Sequence, residues 1–160
     1  MHRRLHKKKN PFLMPIRRPV AGCDLVDHAL IERALAATRR ELVPERWHKG
    51  APAVDARGRE TDPEDDSSDA WCVEGILLRH LLEGSNATIR AAMRLLHQTA
   101  RRLSEGRHDT LFAFNDAPAT SFADIDRLLL AAVAEAAGRA AVDAEQLREP
   151  NPAAVEASPG

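Results

Sequence analysis

The chain contains no tyrosine, and aromatic residues make up only 4% of its 160 residues. Strands favour aromatic and β-branched side chains, so this shortage weighs against a sheet-based fold. Two cysteines, Cys23 and Cys72, are too few for a secreted disulfide framework. No apolar run approaches the ~20 residues that a membrane-spanning helix needs. Phe12-Leu13-Met14-Pro15-Ile16 is too short and too proline-broken for the core of a signal peptide. The expected compartment is therefore the cytoplasm. Spacings that carry common chemistry are missing too. There is no CxxC, no HExxH, no Gly-rich phosphate loop and no GxSxG elbow. His2 and His6 lie near the start, and the other five histidines are widely spaced. The expectation is no metal and no cofactor.

What is present is the composition of an ordinary globular protein, 44% apolar and 29% charged. Alanine and leucine, both strong helix formers, dominate the apolar set. The net charge of −1 hides an uneven distribution. Residues 1–18 carry seven of the 23 basic residues and no acidic one, leaving 16 basic against all 24 acidic residues downstream.

Read along its length, the chain begins with a basic arm over 1–20. Pro11, Pro15 and Pro19 keep it from forming a helix, and it is expected to be disordered. A first helix is predicted after Asp24, with Leu30, Ile31, Ala34, Leu35, Thr38 and Leu42 at helical spacing, and Pro44 stops it. Residues 44–69 form a long connection ending in an acidic run from Glu60 to Asp69, expected to be mobile. A second helix is predicted over about Ala70 to Glu83. It is apolar nearly all round, as a central core element would be. A third follows Ser85 and ends near Gly106, with Ile89, Ala92, Met93, Leu96, Ala100 and Leu103 as its stripe. Residues 110–116 read as an extended segment that turns at Asn115-Asp116-Ala117-Pro118. A fourth helix begins at Ser121, which forms a capping box with Asp124, and ends at Gly138 or runs on towards Leu147. Residues 149–160, rich in proline and alanine, are expected to be disordered. The predicted fold is all-α: one domain over 21–148 with four helices, the long acidic loop over 44–69 and one short extended segment placed to pair with it.

A few residues invite a chemical reading. Cys72 near a helix start could be an activated thiol. Packing is the preferred reading, because buried cysteines are common and mostly inert. His80 lies eight residues on, about 12 Å along a helix axis and out of hydrogen-bond reach. Gly75 inside a helix costs about 1 kcal/mol relative to alanine, a cost tolerated where a backbone or ring must come close. Trp71, four residues before it, could supply that ring. Asn115-Asp116 reads first as a turn and second as a polar pair beside the core helix. His28 and His97 border apolar stripes and read as half-buried seam residues. The arm over 1–18 has charge for phosphate but no interleaved aromatics for base stacking.

These residues form a pattern. Trp47-x-x-Gly50, then Asp69-Ala70-Trp71-Cys72-x-x-Gly75, then Phe114-Asn115-Asp116-x-Pro118 before a helix, resembles domain of unknown function family 6197, short proteins mainly of actinobacteria and their phages. The resemblance covers about Leu25 to Ala136. It departs from the family's usual pattern at Ile76, where alanine is typical, and at Phe114, where tryptophan is typical. Both are apolar exchanges at packing positions. The resemblance implies the helical architecture and no activity.

Three functional expectations follow. The leading one is a non-enzymatic accessory or interaction module with a protein partner. The second is a small-ligand protein or enzyme with a pocket bounded by Trp47, Trp71, Cys72, Asn115 and Asp116. The third is nucleic-acid or phosphate binding through the arm.

Overall fold

A computed structural model describes residues 25–148. The basic arm, Cys23, the cap assigned to Asp24 and the tail over 149–160 lie outside the described residues. The order of elements is α1 (His28–Glu41), a 3-10 turn (Pro44–Arg46), β1 (Ala53–Asp55), β2 (Ser68–Trp71), α2 (Val73–His80), α3 (Asn86–Leu103), α4 (Leu111–Asp116) and α5 (Phe122–Gln146). The described residues are mostly helical, with five α-helices rather than the four expected, and they include a small antiparallel sheet that composition argued against. None of these helices is long and apolar enough to cross a membrane.

Each helix starts at a residue that satisfies its free N–H groups. Asp27 Oδ1 accepts from Leu30 N–H at 2.7 Å, so α1 begins at His28 and not directly after Asp24. Ser85 Oγ accepts from Thr88 N–H and starts α3 as predicted. The Ser121–Asp124 capping box is complete in both directions, and α5 continues past Gly138 to Gln146. At the end of α3, Gly106 N–H reaches Arg101 C=O and Glu105 N–H reaches Arg102 C=O. These are the two bonds of a Schellman motif. Gly106 suits its φ of +77°, whereas Glu105, at φ +54°, takes a left-handed conformation that costs a side-chain-bearing residue about 1–2 kcal/mol.

The core lies between α1, α2, α3 and α5. Ile31, Leu35, Ile76, Leu77, Leu81, Leu96, Ile125, Leu128 and Leu129 are all fully buried there. The α1–α5 pair is the most extensive contact. Arg39 Nε bonds Asp126 Oδ1 at 2.7 Å, and His28 Nδ1 meets Asp143 Oδ2 at 2.7 Å. The C-terminal part of α1 therefore faces the start of α5, and its first residue faces the end of α5, so the two helices run antiparallel. His28 and His97 are both half-buried, and burial lowers the pKa of His97.

Three readings of the sequence are corrected. First, the acidic loop is folded. Ala53 pairs with Trp71, Val54 with Ala70 and Asp55 with Ser68, leaving Asp69 as a bulge. The run is held by its own carboxylates and hydroxyls. Asp62 Oδ1 accepts from Glu64 N–H, Asp65 Oδ1 accepts from Ser67 N–H, and Ser68 Oγ–H donates to Asp62 C=O. Asp55, buried, accepts from the N–H groups of Arg57 and Arg59 and from Arg59 Nε. The hydrogen bonds from Arg59 hold its carboxyl below the usual range. Acidic composition argued for mobility, but Asp and Ser are also the residues that close turns onto their own backbone.

Second, α2 begins at Val73 and ends at His80, shorter than expected at both ends. Trp71 belongs to β2 because its C=O accepts from His48 N–H at 2.9 Å, while Cys72 N–H donates to Pro52 C=O at 3.1 Å. Third, residues 111–116 are helical. Thr110 Oγ1 accepts from Ala113 N–H, and Leu111, Phe114 and Asn115 are buried at i, i+3, i+4 spacing. The phenylalanines pointed to a strand by propensity, but the cap and the burial spacing decide for a helix. Pairing of the loop is therefore internal, β1 with β2.

Gly75 is where the hairpin meets the core. A Cβ there would stand 2.0 Å from Pro52 C=O, a backbone atom that cannot swing aside. The expected close approach exists, but the neighbour is the Pro52 backbone and not the Trp71 ring. Gly75→Ala should gain about 1 kcal/mol of helix propensity and lose more to overpacking. The expected net is a loss of about 2 kcal/mol or more, a Tm lower by roughly 6–10 °C, which thermal denaturation followed by circular dichroism would show.

Candidate functional site

The family-like residues Trp47, Gly50, Trp71, Cys72, Gly75, Asn115 and Asp116 come from three separate stretches of chain, and the fold connects them. Trp47 follows the 3-10 turn, and its backbone bridges to Trp71 in parallel register. Its indole Nε1–H donates to Asn115 Oδ1 at 2.9 Å. The Asn115 amide in turn donates to His48 C=O at 3.2 Å and to Asp116 Oδ1 at 2.7 Å. Asp116 Oδ1 also accepts from Gly50 N–H at 3.0 Å. Lys49 closes the join, its ammonium donating to Ala117 C=O and Thr120 C=O at 2.7 and 2.8 Å while it lies 4.8 Å from the Trp47 ring centre. Residues 47–50 are thus clasped to the end of α4 and the turn after it. Asn115 is only 1% exposed, and its oxygen and nitrogen are both bonded within the clasp. It is not an Asx turn closing on itself, as the sequence suggested.

Trp71 is buried on the other side of Trp47's backbone, and its Nε1–H donates to Pro63 C=O at 3.2 Å. The guanidinium carbons of Arg46 and Arg79 stand 4.6 and 5.5 Å from its ring centre. Such cation–π contacts contribute on the order of 0.5–2 kcal/mol each. The Trp47 ring leans on Phe122 of α5 at 6.0 Å. Each indole therefore joins parts of the chain that propensity alone would not bring together.

Cys72 caps α2, its Sγ accepting from Gly75 N–H at 3.4 Å. A helix start ordinarily favours the thiolate. Here burial pushes the thiol up to about 12, against the pull of the Gly75 hydrogen bond, and the carboxylates of Glu74 and Asp116 add to the rise. At neutral pH the group is a neutral thiol, 2% exposed, unsuited to nucleophilic attack. Glu74 beside it has a buried Oε2 with no hydrogen-bond partner among the described residues, and burial raises its carboxyl to about 7. Among the described residues no group of three or more His, Cys, Asp or Glu side chains is gathered as a metal site would require.

A cleft of about 220 Å³ opens between the end of α3, α4 and the first turn of α5. None of Trp47, Trp71, Cys72, Asn115 or Asp116 lines it. Its polar lining includes Ser104, Arg107, His108, Thr120, Asp124 and Arg127. Sequence reasoning singled out none of these as site residues. They come from three short stretches, and the arginines look like solvated surface charge until the Schellman turn after α3 brings the chain round.

The geometry defines a small, mainly helical domain whose conspicuous residues form a clasp between a strand hairpin and two helices. The chain belongs to the family described as "Family of unknown function (DUF6197)", which matches residues 27–148. That range covers the fold from the α1 cap to the end of α5, further than the stretch over which the motifs alone carry the likeness. No curated protein and no solved structure matches the chain.

Two outcomes are expected. Trp47→Phe keeps a ring against Phe122 but leaves Asn115 Oδ1 buried without its donor, at a cost of about 1–3 kcal/mol measurable by urea denaturation. For Glu74, the raised folded pKa means its favourable contribution is complete below about pH 4.3, where the unfolded carboxyl is also neutral. That contribution is lost as pH rises to about 7. Glu74→Gln should therefore change stability little at pH 4 and raise it by about 2 kcal/mol at pH 8. An equal effect at both pH values would contradict this origin.

Proposed function

We propose that this chain is a non-enzymatic interaction module in which the family-like motif is architectural. One observation carries the reading: the Asn115 amide, the most chemically specific group in the motif, is fully engaged by Trp47, His48 and Asp116 inside the clasp. A catalytic or ligand-holding amide needs a free donor or acceptor directed at its ligand, and this one has both N–H groups bonded and its oxygen bonded and buried within the protein. Cys72 supports the same reading, since its thiol stays protonated and buried at neutral pH. The motif then preserves a shape, and the function lies on the surfaces that this shape presents.

The test is a chromosomal Cys72→Ser allele. Serine retains a cap acceptor for Gly75 N–H at the same position, so the fold is expected to hold within about 1 kcal/mol. The allele should complement a deletion strain as the parental gene does. Loss of complementation with an unchanged Tm and intact protein level would overturn the reading and restore the thiol as a working group.

A further inference from the structure

The cleft between α3, α4 and α5 has a chemistry of its own. Arg107 and Arg127 lie at its edge, and Leu103, Phe114 and Ala119 supply apolar wall. Ser104, Thr120 and Phe114 are buried, so the floor is built from packed core rather than mobile surface. The His108 ring stands edge-on to Phe114 at 5.9 Å and forms part of the lining. Arg107 is fixed by a bond from its Nε to Ser104 C=O at 3.0 Å. That bond also caps the negative end of α3, which would otherwise repel an anion. No further acceptor meets the Arg107 guanidinium among the described residues, so its remaining N–H donors are unused. Arg127 shares one oxygen of Asp124 at 3.1 Å, while the other oxygen of Asp124 is taken by Ser121. Those Ser121 bonds hold the Asp124 carboxyl below its usual range, so Asp124 stays anionic. Two guanidiniums against one carboxylate leave these side chains with one unit of positive charge, within a sequence that downstream of the arm is acidic.

We propose that this cleft binds a carboxylate carried on a small apolar group. Arg107 and Arg127 hold the carboxylate, and the apolar group lies against Leu103, Phe114 and Ala119. The charge balance fits a monoanion, and guanidinium groups pair with carboxylates in short, charge-assisted bonds. At about 220 Å³ the cleft is smaller than the ~300–1,000 Å³ of drug-sized sites, which argues against a nucleotide. The carboxylate could be that of a free acid or of a partner's C-terminus. This inference goes beyond the interaction-module reading and does not depend on it.

The experiment is a titration of the full chain with benzoate and, separately, with N-acetylphenylalanine, followed by two-dimensional amide NMR. Benzamide and N-acetylphenylalanine amide are the neutral controls. The expected result is saturable shifts centred on Ser104, Arg107, His108, Thr120 and Arg127 in the millimolar range, absent with both amides. Arg107→Gln and Arg127→Gln should each weaken the bound acid about five-fold or more, while the loss of the α3 cap or of the Asp124 pair lowers Tm by no more than roughly 5 °C. Tighter binding of N-acetylphenylalanine identifies a chain terminus as the source, and tighter binding of benzoate identifies a free acid. Equal shifts from the neutral amides, unaltered affinity in both arginine variants, or no saturation by about 50 mM would each overturn the proposal.

Discussion

The hydrogen bonds that Asn115 makes to Trp47 and His48 hold together parts of the chain that have little else to join them. A two-stranded hairpin is marginal in water by itself, and β1–β2 belongs to a connection of more than twenty residues that carries few large apolar side chains. What keeps that connection against the helices is a short set of directed contacts: the indole N–H into the Asn115 carbonyl, the Asn115 amide back to His48, Gly50 onto Asp116, and Pro52 against the bare face of Gly75. Hydrophobic burial is non-directional and tolerates small shifts. Buried amide bonds do not, because a displaced partner leaves a desolvated polar atom behind. The clasp therefore fixes the register of the connection as well as its attachment.

The chemistry of the motif follows from that task. Gly75 admits the Pro52 backbone at a distance that any Cβ would forbid. Cys72 is small enough to be buried at a helix start and still accept a hydrogen bond there. Tryptophan combines a large apolar body with one N–H, which suits a residue that must both bury area and point at a single acceptor. A set of residues that resembles a catalytic constellation in sequence, with a thiol, an amide, a carboxylate and two indoles, is here tied together by hydrogen bonds to other parts of the chain.

Much of the helical frame was readable from local signals. Ser85 and the Ser121–Asp124 box mark helix starts through their own side chains, and the stripe of α3 repeats for five turns, so both survive any tertiary context. The sequence misleads where two rules compete. Trp71, Val73 and Ile76 look like one apolar helical run, yet the strand-to-helix boundary between Trp71 and Val73 is set by bonds to His48 and Pro52, twenty or more residues away in sequence. Leu111 to Phe114 has strand-like propensity, and the Thr110 cap together with burial at helical spacing outweighs it. Charge alone points to a mobile acidic run, whereas its aspartates and serines close turns. Membership of the candidate site was legible as a motif, but its geometry was not, because Trp47 and Asn115 are 68 positions apart. The cleft could not be read at all, since no local pattern distinguishes an arginine that lines a hollow from one that faces open water.

The pairing of α1 with α5 has a consequence for how the protein is made. Ile31, Ala34, Leu35 and Thr38 are buried, α5 is the most extensive neighbour of their helix, and the His28–Asp143 contact spans 115 positions. Synthesis delivers α1 first and α5 last. A nascent chain therefore carries α1 without its main partner until α5 is made, during which part of that stripe is exposed to wrong partners. The closing event is long in sequence and so slow in loop-closure terms. A message truncated before Phe122 would release a chain with α1 still looking for its mate.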